Sequence, residues 1–308
     1  MNGKRSKAKS RRVLVLVNPK SGFGGSLDAT LKGIETAWSE RGAIVSYQFS
    51  NSIEDGVVKT RQAVADGVDS LVVVGGDGMV NTIGAELVGT DVAMGVIPTG
   101  SGNGFARHFN IPLAPVKAAE ALADADRRLI DVGTANGRPF FVTCSMAWDA
   151  TLVRFFEKSP IRGIIPYVFA GAQGLFEFRP QPFDVVLDGS EHIHFREPLV
   201  FTVANLTQFG SGVRIAPQAR DDDGFLELVA IGRSDLPDVL MGLSRWFDGT
   251  FDQLHGVVTR RFSHLRVIRP AAGEMQVDGE LVDAPAEIEI GLQAKALHVL
   301  VPGFLGDG

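Results

Sequence analysis

Three glycine-rich stretches and two short acidic ones hold most of the residues that could do chemistry. The first is Gly75-Gly76-Asp77-Gly78, which follows the apolar run Ser70-Leu71-Val72-Val73-Val74 and leads into Met79-Val80-Asn81. A β-branched run ending in glycines reads as a buried strand entering a tight loop. Glycines without a Cβ let the backbone approach a ligand. The carboxylate then stands at the carboxyl end of a strand, where open α/β sheets bind ligands. The second stretch is Pro98-Thr99-Gly100-Ser101-Gly102-Asn103-Gly104, and the third is Asn18-Pro19-Lys20-Ser21-Gly22-Phe23-Gly24-Gly25-Ser26. Each lies between an apolar strand and a helical pattern, where backbone N–H groups and helix N-termini suit anions, phosphates above all. None contains the Gly-Lys-Ser/Thr of a Walker A loop. None fits the dinucleotide fingerprint Gly-x-Gly-x-x-Gly with its later acidic residue. Three such loops on one sheet edge could wrap a nucleoside triphosphate without either device. Taken singly, Gly-Asp-Gly is equally a solvated turn. The acidic stretches have two readings each. Asp278-Gly279-Glu280 is a hairpin turn or a pair of site carboxylates, and Asp221-Asp222-Asp223 is a solvated loop or a set of oxygen ligands.

Residues 13–17 lack polar alternation, as in a parallel strand covered on both faces. Ser26 is placed to cap a helix carrying Leu27, Leu31, Ile34 and Trp38, which Gly42 stops. Strand 43–49, helix 54–65, the strand at Ser70, helix 81–88, strand 92–97, a helix from Phe105 and an alanine-rich helix over 116–129 follow. Strand, loop and helix recur four times, which predicts a doubly wound, Rossmann-like α/β domain. The pattern changes at Ile130. Asn136-Gly137 between 132–134 and 140–143, and Asp188-Gly189 between 183–187 and 192–195, are hairpin signals. Short strands continue at 199–204, 225–231, 265–268, 274–277 and 288–290. Helices interrupt at 152–178, broken at Pro160 and Pro166, and at 236–247. The expected fold class is therefore α/β, with a second, mostly antiparallel β-sandwich domain. The expected divisions are a basic tail over 1–12, an α/β domain over 13–130 joined by a returning strand near 297–308, and a β-rich domain over 131–296.

A chain of 308 residues with 45% hydrophobic and 21% charged residues is of ordinary globular composition and fits two cores. A net charge of −6 argues against a general nucleic-acid surface. A single cysteine, Cys144, excludes an intramolecular disulfide and a multi-cysteine metal site; in Phe140-Phe141-Val142-Thr143-Cys144 it reads as core. No stretch reaches the roughly 20 apolar residues of a transmembrane helix. No signal-peptide core follows the basic Lys4, Arg5, Lys7, Lys9, Arg11 and Arg12, so a cytoplasmic setting is expected. That tail is either disordered or a contact for anionic lipid headgroups.

The combination of loops resembles the soluble diacylglycerol kinase-like lipid kinases, a family that includes the sphingosine kinases. The residues that carry the resemblance are Asn18-Pro19 with Ser21-Gly22, Gly75 to Gly78 with Asn81, and Pro98-x-Gly100-Ser101-Gly102-Asn103 with Phe105-Ala106-Arg107. Trp148-Asp149-Ala150, the stretch from Gly210-x-Gly212 through Ala216-Pro217, Asp223-Gly224 and Leu226, and Asp278-Gly279-Glu280 continue it almost to the end of the chain, in the right order. The resemblance implies an ATP site built from Asn18, Ser21, Ser50, the run Gly75, Gly76, Asp77, Gly78, Met79, Val80 and Asn81, and Gly100, Ser101 and Asn103. It implies Glu280 as general base for a lipid hydroxyl, Asp278 as its support, and Asp77 as holder of phosphates through Mg²⁺ or as an aid to the base. It also implies a structural Mg²⁺ at Asp223, with the backbone carbonyls of Arg220 and Phe225.

Three positions depart from the family pattern. Met79 stands where a threonine is usual, so a hydroxyl donor is lost or replaced there. Thr82 stands where an acidic residue is usual, and Ser145-Met146-Ala147-Trp148 precedes Asp149 in place of a glycine-rich segment. Residues 161–178 could line a slot for acyl chains or simply pack in a core. The expected partner is a lipid at a membrane surface, with the enzyme peripheral; a homodimer and the identity of the lipid stay open. The competing readings are an NAD kinase, which shares the Gly-Gly-Asp-Gly loop, and a nucleotide- or lipid-binding sensor with weakened catalysis.

Overall fold

The computed structural model describes residues 10–19, 27–150, 178–209, 212–242 and 244–303. Residues 1–9 of the basic tail, Ser21, the Ser26 cap, Gly210 and nearly all of the helix expected over 152–178 lie outside these. Four parallel strands begin the fold: β1 (Arg12–Val17), β2 (Ile44–Phe49), β3 (Ser70–Gly75) and β4 (Ala93–Pro98), in the order β2-β1-β3-β4. Residues 13–17 and 70–75 are buried throughout, as their unbroken apolar runs require. The helices are α1 (Leu27–Ser39), α2 (Ile53–Ala65), α3 (Asp77–Leu87), α4 (Gly104–His108) and α5 (Pro115–Ala123), with α1 packed on α5 and α2 on α3. Ser52 caps α2 by accepting the Asp55 N–H at 3.2 Å.

The chain then turns antiparallel. β5 (Asp126–Ala135), β6 (Arg138–Phe140), β7 (Thr143–Ser145), β8 (Phe183–Leu187), β9 (Glu191–Phe195), β10 (Pro198–Ala204), β11 (Leu226–Gly232), β12 (Val257–Phe262), β13 (Leu265–Ile268), β14 (Gly273–Val277), β15 (Glu280–Ala284) and β16 (Glu287–Val301) complete it. One sheet runs β2-β1-β3-β4-β16-β13-β8-β9, with β5 on β16 and β6 on β5, and a second runs β12-β11-β10-β7-β14-β15. The 15-residue β16 crosses between the units. Its first half pairs with β13 around Ile288 and Ile290, and its end lies parallel to β4 at Val299 and Met94. Hairpins fall where Asn136-Gly137 and Asp188-Gly189 place them; all four residues have positive φ.

Several boundaries differ from the sequence reading. Residues 126–129 are strand, not the end of a helix, because pairing of Asp126 and Arg127 with Val301 and Leu300 outweighs arginine's helix preference. The boundary drawn at 130/131 falls inside β5. Helix α3 starts at Asp77 rather than Asn81, so β3 ends at Gly75, Gly76 alone links strand to helix, and Asp77 is already helical. The helix expected at 236–247 is two short pieces, Leu236–Met241 and Arg245–Asp248. Strands β12 and β15 had no expectation. Arg11 and Arg12, counted with the basic tail, are engaged by the domain. Arg11 donates to the Ala123 carbonyl at 3.0 Å, and Arg12 to the Asp66 carbonyl at 2.8 Å. Cys144 is buried in the second core, and burial pushes its thiol pKa up.

Helix α3 meets β6 and its following residues without a gap. A Cβ on Gly84 would stand 2.6 Å from Cε2 and 2.8 Å from Cζ of the buried Phe141. Gly84→Ala should therefore lower the chemical-denaturation midpoint, by an overpacking cost of about 1–3 kcal/mol that exceeds the gain in helix propensity. A midpoint at or above wild type would contradict the close packing of α3 on Phe141.

Candidate active site

Strands β1, β3 and β4 are neighbours and parallel, so their carboxyl ends bring Asn18, Gly75-Gly76 and Pro98-Gly100 to one edge. The loops after β3 and β4 cross backbone against backbone. A Cβ on Gly100 would lie 2.8 Å from the Gly76 Cα and 3.0 Å from Asn103 Oδ1, and one on Gly102 would lie 2.8 Å from Asp77 Oδ2. Only glycine allows that approach. Asp77 fastens the crossing: Oδ2 accepts the Asn103 N–H at 2.8 Å and Oδ1 accepts the Gly104 N–H at 3.0 Å. Burial pushes this carboxyl's pKa up while those two N–H groups pull it down. Asn103, at φ 52°, closes its own loop: its amide donates to the Gly100 carbonyl at 2.8 Å and its Oδ1 accepts the Gly100 N–H at 3.1 Å. Asp77 thus acts on the protein itself, a role the sequence did not suggest.

A cleft of about 350 Å³ opens beside these loops, lined by Asn18, Ser50, Gly78, Met79, Thr82 and Glu280 among others. First-turn N–H groups of a helix have no intrahelical acceptor, so the start of α3 offers donors to an anion there. Met79 folds back over Gly75, where a Cβ would meet its Sδ at 2.6 Å. The hydroxyl absent at position 79 has neighbours on the cleft wall in Ser50, Ser52 and Thr82. Val80 instead belongs to the core. Ser101 is exposed in the second loop. A second chamber of about 280 Å³ adjoins the cleft, lined by Val57, Asn81, Ala85, Glu86, Arg138, Pro139 and again Ile53, Thr82 and Glu280.

Glu280 begins β15 and is common to both chambers. A Cβ on Gly78 would come 3.3 Å from Glu280 Oε1, so the carboxylate sits over the first turn of α3. Its Oε2 accepts from Arg138 Nη2 at 2.7 Å, with 36% of the Glu280 side chain exposed. Arg138 was not legible in the sequence, since it follows a hairpin turn and its partner lies 142 residues away.

Asp278, two residues before Glu280, is buried and takes four donors. Oδ2 accepts from Asn81 Nδ2 at 2.8 Å and the Phe141 N–H at 2.7 Å; Oδ1 accepts the Val142 and Thr143 N–H groups at 2.8 and 3.0 Å. Burial pushes its pKa up against the pull of these donors. Asn81 is therefore turned to Asp278, not into the larger cleft. Asp149 is bound in the same manner by the N–H groups of Ala147, Ala150 and Phe201 and the Thr202 hydroxyl, and burial raises its pKa to about 6.

The residues expected to hold a structural Mg²⁺ do not fit one. Asp223 Oδ2 accepts from Arg261 and lies 4.0 Å from Arg220 Nε, while Oδ1 accepts the Phe225 N–H at 3.2 Å. The Arg261 guanidinium occupies the carboxylate oxygen that a dication would need, and that of Arg220 stands 4.0 Å from it. Among the described residues no cluster of three metal-ligating side chains occurs, and Arg220, Asp223 and Phe225 line neither chamber.

Comparison with known proteins agrees with this architecture. Residues 12–135 match the diacylglycerol kinase catalytic domain, and residues 143–301 match the YegS C-terminal NAD kinase beta sandwich-like domain. A diacylglycerol kinase of Mycobacterium tuberculosis (strain H37Rv) is 32% identical over 298 residues, covering 94% of this chain and 95% of the relative. One from Bacillus subtilis (strain 168) is 24% identical over 302 residues, covering 95% and 97%. The crystal structure of a diacylglycerol kinase from Bacillus anthracis (strain Sterne) superposes with a TM-score of 0.74 at 19% identity, covering 96% of this chain and 98% of that one. The last likeness is one of fold.

Two substitutions separate the jobs of the site. Gly100→Ala should force the two loops apart, lower the unfolding midpoint by an overpacking cost of about 1–3 kcal/mol, and weaken ATP binding at least tenfold, read by titration calorimetry. Asp278→Asn turns an NH₂ toward existing donors and should cost about 2–4 kcal/mol of stability, since hydrogen bonds to a charged group are lost. An unchanged denaturation midpoint in Asp278→Asn would show that Asp278 does not hold the two units together.

Proposed function

The chain belongs to the diacylglycerol kinase-like lipid kinase family, and on that footing we propose that it transfers the γ-phosphate of ATP to the hydroxyl of a lipid such as diacylglycerol, with Glu280 as general base. The observation that carries this reading is the position of Glu280, partly exposed, over the N-terminal turn of α3 and shared by two adjoining chambers.

MgATP is the donor substrate. Its phosphates rest against the first turn of α3 and the loop of Gly100, Ser101 and Asn103, and its nucleoside extends toward Ser50 and Asn18. Phosphoryl transfer asks chiefly for positioning and charge neutralisation, and the accompanying Mg²⁺ supplies part of the latter. Glu280 takes the proton of the lipid hydroxyl as that oxygen attacks the γ-phosphorus. The bond to the β,γ-bridging oxygen breaks and ADP leaves. Arg138 holds the carboxylate in place through one oxygen, which leaves the other to receive the proton. Asp77 keeps the two phosphate loops in contact, and Asp278 fixes the turn from which Glu280 projects. The acceptor lies in a bilayer, so the enzyme works at a membrane surface, peripherally and on the cytoplasmic side.

The test is transfer of labelled phosphate from ATP to a panel of hydroxyl lipids in mixed micelles, with NAD⁺ as a parallel acceptor because the C-terminal match carries an NAD kinase description. Label on a lipid is the expected result. Glu280→Gln should lower kcat by about 10²- to 10⁴-fold, the span of general-base contributions, with ATP affinity unchanged. Arg138→Ala should lower kcat as well, with partial recovery in Arg138→Lys. Full activity in Glu280→Gln would remove that residue as the base. Label on NAD⁺ alone would replace the acceptor class, and ATP binding without turnover would favour a sensor.

A further inference from the structure

The loop from Arg220 to Phe225 joins the two units of the molecule. Asp131, on β5, donates its N–H to the Asp221 carbonyl at 2.7 Å and accepts the Gly224 N–H at 2.7 Å. Its other oxygen accepts the Lys295 N–H at 2.7 Å, where β16 makes its register shift and Lys295 adopts a φ of 49°. The loop therefore brings its acidic run against β5, β11 and β12. Asp221 pairs with Arg128 at 2.9 Å, and Asp222 lies 4.0 Å from Arg128 and 3.9 Å from Arg220. Asp223 pairs with Arg261, which also reaches Glu227 at 3.1 Å. Four carboxylates thus face three guanidinium groups.

Glu227 is 8% exposed, and a carboxylate so placed needs a cation or strong donors. Arg261 is the one cation paired with both Glu227 and Asp223 among the described residues, and its guanidinium lies 4.6 Å over the Phe225 ring. That stacking fixes the planar fork between the two acids. A dication at Asp223 would have to displace this guanidinium or sit beside it, against like-charge repulsion.

We infer that Arg261 is a built-in structural cation: its guanidinium takes the place that a divalent metal would hold at Asp223, so this junction folds without metal. The inference concerns the stability of the fold and is independent of which acceptor the active site phosphorylates.

The experiment is thermal unfolding of the full chain without nucleotide, in EDTA and in Mg²⁺, for wild type, Asp223→Asn, Arg261→Met, Arg261→Lys and the double variant Arg261→Met/Asp223→Asn. The response that counts is a rise of the midpoint in Mg²⁺ that Asp223→Asn abolishes. Wild type and Arg261→Lys should have none. Arg261→Met keeps an apolar stem but loses the charge; it should melt several degrees lower in EDTA, regain part of that loss in Mg²⁺, and lose the regain in the double variant. A wild-type response abolished by Asp223→Asn would overturn the inference. An Arg261→Met protein with no such response would overturn it as well. If Arg261→Met does not fold, the comparison of wild type with Asp223→Asn still decides.

Discussion

Burial of the Asp278 carboxylate is the constraint from which the rest of the site follows. An isolated buried carboxylate is costly, and the cost is removed only when donors surround it. Here the donors come from α3 through Asn81 and from three successive backbone N–H groups, Phe141 to Thr143, where β6 gives way to β7. The α/β unit and the β-rich unit must therefore meet at one place and in one orientation. A hydrophobic contact between the same surfaces would tolerate sliding, because apolar burial is non-directional. Four hydrogen bonds to two oxygens tolerate little of it.

The glycine-rich loops after β3 and β4 are built on the same logic, with a smaller carboxylate network. Asp77 binds two backbone N–H groups of a loop that its own loop touches, and glycines at 76, 100 and 102 remove the Cβ atoms that would keep them apart. The two loops beside the cleft are thus tied to each other before any ligand arrives, which reduces the ordering cost of binding one against them. Met79 fits this scheme as a packing residue: its side chain lies over Gly75, and the hydroxyls near the cleft come from α2, α3 and the end of β2 instead.

The parallel strands and the three loops were legible because they depend on local pattern: unbroken apolar runs, then glycines. The hairpins at Asn136-Gly137 and Asp188-Gly189 were legible for the same reason, since positive φ restricts residue choice. What stayed hidden depends on partners distant in sequence. Residues 126–129 carry a helical composition and are strand only because β16 returns to pair with them. Strand β15 looks like the far side of a turn until β14 is placed beside it. Arg138 and Arg261 are ordinary arginines in the sequence, and their meaning comes from Glu280 and from Asp223 with Glu227. The metal expected at Asp223 turns on the same point: oxygen ligands were counted from one segment, while the guanidinium that pairs with the carboxylate comes from another.

Asp278 and Glu280 separate two demands that a single carboxylate could not meet. A residue that orients a site gains from burial and from as many donors as it can accept, and both restrict its access to a substrate. A general base must reach the proton it removes and must have a free lone pair to receive it. Asp278 meets the first demand, with all four of its contacts inside the protein. Glu280, on the other side of Gly279 at φ 89°, has the access that the proposed base would need: it is partly exposed, pairs with Arg138, and borders both chambers. The tight turn between them converts the immobility of one carboxylate into the placement of the other. An Asp-Gly-Glu sequence is therefore more than a hairpin turn when a four-donor cradle stands opposite its aspartate, and that cradle is visible only in the folded chain.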